Sequence, residues 1–130
     1  MLVTSIPQYI QGLTNAKVDL TSTDLTVLYT APSGADFNAS IVNSIIVCDD
    51  SNNGDTITVT ITDASNNVFV LFDVKTISGH ATVELLTRDL VLQSGEILKV
   101  QATTANRLHV VASIQELSKT RVTTSALAQI

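Results

Sequence analysis

The sequence predicts an all-β fold: a single antiparallel β-sandwich or jelly-roll-like domain of about eight strands, with extended N- and C-terminal arms. Three observations carry this. Val, Ile and Thr recur throughout, and their stiff χ1 torsions pack well on a pleated surface. Apolar and polar residues alternate with period two in several stretches, as in strands with one buried face. Turn-forming residues interrupt these stretches at the spacing of a sandwich or jelly roll. The 130 residues make one domain, large enough for a core without disulfides or metals.

Along the chain, residues 1–16 read as an N-terminal arm, 17–117 as the sandwich and 118–130 as a C-terminal arm. The opening "MLVTSIPQYIQGL" has no basic start, and Ser5, Pro7 and Gln8 break its apolar run, so no signal peptide is expected. "LTVLYT" (25–30) is a strand with Leu25, Val27 and Tyr29 aligned. Ala31-Pro32-Ser33-Gly34 fits a type I turn, with proline setting φ at the second position. "ASIVNSIIVC" (39–48) is a strand with little alternation. In "DTITVTITD" (55–63), Ile57, Val59 and Ile61 share one face and four threonines the other. Ser65-Asn66-Asn67 make a hairpin turn, because Asn tolerates positive φ. The strand after it places Val68, Val70 and Phe72 on one face and Phe69 and Leu71 on the other. Ala81, Val83 and Leu85 align next. Two strands flank a turn at Ser94-Gly95, and Leu108, Val110, Ala112 and Ile114 close the pattern. "SALAQI" is too short for an independent helix.

Composition excludes several functions. Net charge is −5 and only seven residues are Lys or Arg; nucleic-acid affinity rests largely on such cations neutralising phosphates, so no nucleic-acid partner is expected. No apolar run approaches the roughly 20 residues a bilayer requires, so no membrane partner is expected. The single cysteine, Cys48, has no intrachain disulfide partner and reads as a small buried hydrophobe.

The most site-like stretch is "CDDSNNGDT". Asp49, Ser51, Asn53 and Gly54 match the first half of a calcium loop. The twelfth position, which needs a bidentate Glu, is Thr60, and no helices flank the loop. A polar hairpin loop is therefore expected, with no metal. His80 and His109 fall out of phase with their apolar neighbours and should face solvent, without the convergent ligands a metal needs or the contacts a catalytic triad needs. No phosphate loop, nucleophile elbow or zinc-protease motif occurs. No enzyme and no cofactor are expected.

Surplus apolar surface is what the sequence does offer. Residues 41–47 and 68–74 are apolar on both faces, whereas a two-layer sandwich covers only one face of each strand. Val42, Ile46, Phe69 and Leu71 are therefore expected to need cover from a partner, and Arg121, Leu127 and Ile130 of the C-terminal arm are expected to dock on one.

"TVLYTAPSG", "ASIVNSIIVCDDS", "LVLQSGEILKVQAT" and "RLHVVASIQEL" resemble, in order and spacing, the small β-sandwich structural proteins of tailed bacteriophage virions, those of cyanophages especially. The resemblance covers residues 25–117. It implies a virion component without catalytic residues, so no functional residue carries over. The resemblance does not fix the place in the virion; small size, a compact sandwich, modest acidity and terminal arms favour a capsid decoration (cement) protein on the outer surface of the head. Its partners would be phage capsid or tail proteins, and it would form a homo-oligomer with a trimer favoured. A tail, neck or baseplate-associated role is the alternative within this class. A host- or carbohydrate-binding module is the alternative outside it.

Overall fold

The computed structural model describes residues 9–119. Nine strands are formed there: β1 (Tyr9–Asp19), β2 (Thr26–Thr30), β3 (Phe37–Asp49), β4 (Asp55–Thr62), β5 (Val68–Ile77), β6 (Thr82–Glu84), β7 (Leu90–Leu92), β8 (Ile97–Ala102) and β9 (Leu108–Ser118). One sheet runs β1-β9-β3-β6, with β7 also on β3; the other runs β2-β8-β4-β5. Every described pairing is antiparallel.

The topology is a long hairpin rolled up. β4 and β5 form its tip, and successive pairs nest outward: β3 with β6 and β7, β2 with β8, β1 with β9. Counting β6 and β7 as one interrupted strand gives the eight-stranded, two-sheet jelly roll. The chain crosses between sheets at almost every connection, so both inner faces must be apolar. Ile57, Val59, Leu98 and Val100 line one, and Ile45, Val47, Val110, Ala112 and Ile114 the other.

At the tip, Asn66 has φ 67°, and the Asp63 carboxylate accepts the backbone N–H groups of Ser65 (2.9 Å) and Asn67 (2.8 Å). These bonds, the one from Asn67 first, hold the Asp63 carboxyl below its usual range. Gly95, φ 76°, makes the turn between β7 and β8.

Several expectations are corrected. Residues 9–16 are part of β1, bonded along its length to β9, rather than an arm. Their weak alternation follows from their position at the sheet edge, where most side chains face solvent. Residues 1–8 and 120–130, including Arg121, Leu127 and Ile130, lie outside the described residues. Leu28, not Leu25 or Val27, enters the core, because pairing with β8 shifts register between Val27 and Tyr29. The expected type I turn is an open corner that bends at residues 34–36.

Val42 is fully buried instead of facing a partner. Its neighbour Asn43 is a β-bulge: Val42 opposes Ile114 while Ser44 opposes Ser113. One extra residue reverses the in–out phase. Ser40 and Val42 point inward before the bulge, and Ile45, Val47 and Asp49 after it. Cys48 then lies on the outer side, half-buried.

Candidate functional site

β5 is the outermost strand of its sheet. Val68, Phe69, Val70 and Val74 are each 55–57% exposed, and Leu71 is 36% exposed. The pairing explains why. Phe69 lies opposite Ile61 and Val70 opposite Thr60, and directly opposed residues share a face. Phe69 therefore points to the core side and Val70 to the outer side, yet both meet solvent. Two irregularities follow. Leu71 is an extra residue between the Val70–Thr60 and Phe72–Val59 pairs, and Asp73 and Val74 together oppose Thr58. Val74 has φ 50°, an unusual conformation for a β-branched residue. Its N–H is donated to the Thr58 hydroxyl at 3.1 Å.

Beside β5 the sandwich is open. Leu71 and Phe72 line a groove together with Leu85, Leu86 and Leu90, and with Thr87, Arg88 and Asp89 of the connection between β6 and β7. The crossing from β6 to β7 bounds this seam and is pinned by Glu84. Its carboxylate accepts the Ser44 hydroxyl and the N–H groups of Ile45 (2.8 Å) and Leu86 (3.1 Å). Partial burial pushes the Glu84 carboxyl up, but these bonds outweigh it and hold the group below its usual range.

Of the expected interaction residues, Phe69 and Leu71 lie together on this edge, and Ile46 is exposed separately on β3. Val68, Val70 and Val74 on β5 and the leucines of the seam were not expected there. The unbroken run Val-Phe-Val-Leu-Phe was the available signal, since an edge strand has no second sheet to impose alternation.

The loop after β3 is built on local bonds. Asp49 is fully buried. Its Oδ1 accepts the Ser51 N–H (2.7 Å) and hydroxyl (2.6 Å), and the Ser51 hydroxyl oxygen accepts the Asn53 N–H at 3.2 Å. The oxygens proposed from sequence as ligands thus close the loop's own turns. Asp49 Oδ2 is buried without a protein hydrogen-bond partner. Among the described residues, no group of three or more His, Cys, Asp or Glu is arranged to hold a metal.

Both histidines face solvent. His109 Nε2 lies 3.3 Å from Asp19 Oδ1 and 3.7 Å from Asp50 Oδ2, with all three side chains about half exposed. This cluster joins the end of β1, β9 and the loop after β3.

No family model matches the chain, and no curated protein matches it. Among solved structures, two crystal structures of pentameric capsid proteins isolated from metagenomic phage sequences are similar to it. Their TM-scores are 0.48 and 0.47, each at 16% identity over 82% of this chain. The chain spans 63% and 61% of their lengths. Both are described as pentameric.

Proposed function

We propose that this chain is a non-enzymatic structural component of a bacteriophage virion, acting as a capsid decoration protein that bridges neighbouring subunits. One observation carries the reading: the uncovered apolar edge of β5 and the leucine-lined seam beside it. An exposed hydrophobic strand edge is a liability that natural sheets normally blunt or cover. Covering the exposed half of each such side chain contributes roughly 1 kcal/mol. Jelly rolls also serve lectins and cupins, so the fold does not select the function. The phage-like sequence over residues 25–117 supports the choice of partner class, and self-association through the edge makes the protein a homo-oligomer.

The test is incorporation into particles. The chain should be found by mass spectrometry in purified virions of the phage that encodes it, and Phe69→Asp should lower its copy number about tenfold or more while leaving the isolated domain folded. A chain absent from purified particles, or normal incorporation of a folded Phe69→Asp variant, overturns the proposal.

A further inference from the structure

The apolar edge has two halves of different character. Val68, Phe69 and Val70 pair regularly with Thr62, Ile61 and Thr60, whereas the strand beyond them is broken by the irregularities at Leu71 and at Asp73–Val74 and carries Asp73 and Lys75. Bulges and charges discourage further pairing. The regular, uncharged start of β5 has neither, and it opens beside the seam of Leu71, Phe72, Leu85, Leu86 and Leu90. An occupant would be an extended, weakly charged segment with small apolar side chains.

Such a segment exists in this sequence. Residues 120–130, "TRVTTSALAQI", have one charged side chain, Arg121, and place Val122, Thr124, Ala126, Ala128 and Ile130 at alternate positions. A period of two suits a strand with one covered face. Eleven residues extend about 36 Å.

The departure point also fits. The Lys119 N–H is donated to Asp36 O at 2.7 Å, just before β3 begins. The pairings Thr30–Ile97, Ile97–Thr62 and Thr62–Val68 align the start of β5 with the end of β2. Tyr29, next to Thr30, touches Glu116 near the end of β9. Lys119, the last described residue, therefore lies at the same end of the sandwich as Val68.

Running back along its own β5, the segment would lie parallel to that strand, since both head away from this end. Every described pairing in this molecule is antiparallel, and parallel ladders are slightly weaker. A second copy in the opposite orientation delivers the segment antiparallel.

We infer that residues 120–130 of one copy add as a strand to β5 of a second copy, beside Val68, Phe69 and Val70, and set their small apolar side chains into the seam. The inference rests on the reading of this chain as an assembling structural protein, and it names the partner and the mode of contact.

The test uses two full-length single-cysteine chains, each carrying Cys48→Ser: one with Val70→Cys, the other with Leu127→Cys, which would share the outer face with Val70 when Ala126 and Ala128 enter the seam. Mixed and mildly oxidised, they should form a disulfide-linked heterodimer more readily than either chain alone links to itself; no preferential heterodimer overturns the inference. A chain carrying both substitutions should give linked multimers; a purely internal disulfide would mean the segment covers its own β5 and also overturns it. Deleting residues 121–130, or Phe69→Asp in the full chain, should raise the self-association constant for dissociation about tenfold or more by sedimentation; unchanged association of either folded variant overturns it. If a variant fails to fold, the cross-linking result decides. Normal virion incorporation without the cross-link removes this inference alone, whereas a cross-link in a chain absent from virions removes the virion reading alone.

Discussion

The Tyr29 hydroxyl, on one sheet, is donated to Glu116 Oε2, on the other, at 2.5 Å. The phenol oxygen also lies 2.7 Å from the hydroxyl of the fully buried Ser40. With the phenol O–H donated to the carboxylate, the Ser40 hydroxyl is left to donate to the phenol oxygen. This three-residue contact is a polar link between the two sheets.

Tyr29→Phe should therefore lower stability by about 1–3 kcal/mol in urea unfolding, because Ser40 and Glu116 lose their partner where little water reaches them. Burial first, then the bond to Glu116, raises the ionisation of the Tyr29 phenol well above the usual tyrosine range. A raised native value stabilises fully below the unfolded value of about 10, and that contribution is lost as pH rises toward the native one. Native stability should fall above about pH 10, and fall less steeply in Tyr29→Phe. Identical alkaline slopes would refute this.

Glu84 works at the opposite end of the pH scale. Its carboxyl is held below the usual range, so its contribution is present above the ordinary glutamate value and lost as pH falls through the native one. Glu84 is solvent-exposed, so the effect is small, about 1 kcal/mol or less. Glu84→Gln should be less stable at pH 7, with the difference closing in acid. A difference that stays constant to low pH would remove the assignment.

Asp49 separates a cap from a metal ligand. Asp49→Ala should cost about 1–3 kcal/mol, because the Ser51 N–H and hydroxyl lose their acceptor. Asp49→Asn keeps an acceptor and removes a buried charge, so it should lie within about 1 kcal/mol of the native chain. Adding calcium or chelator should leave the melting temperature unchanged. A calcium-dependent rise abolished by Asp49→Asn would restore the calcium reading.

Two substitutions should stabilise. The Thr60 hydroxyl is buried without a protein partner, and Thr60→Val, of the same shape, should add about 1 kcal/mol. Val74 sits at φ 50°, where Asn is far better tolerated. Val74→Asn should add about 0.5–1 kcal/mol. Thermal unfolding that shows either variant weaker than the native chain would contradict these accounts.

Period-two alternation made β4, β8 and β9 legible from sequence, because their inner faces pack on a full second sheet. The phase of β3 was not legible. Nothing in "IVNSII" marks Asn43 as the extra residue that turns Val42 inward, since the bulge is set by pairing with β9 over seventy residues away. β1 was missed because an edge strand with mostly exposed side chains has no apolar stripe to read. Phe69 and Leu71 were recognised as surplus apolar surface, but nothing in the sequence marks the groove that Leu71 shares with Leu85, Leu86 and Leu90.

The place of β9 has a consequence for biosynthesis. It fills the middle of its sheet, between β1 and β3, yet it is translated after both. While the ribosome is still short of Ser118, β1 has no described strand to pair with, and β3 lacks its main neighbour. The sheet therefore zips shut from its last-made piece, a slow step for contacts this distant in sequence. A nascent chain stalled before β9 would expose both flanking strands to whatever other polypeptides are nearby.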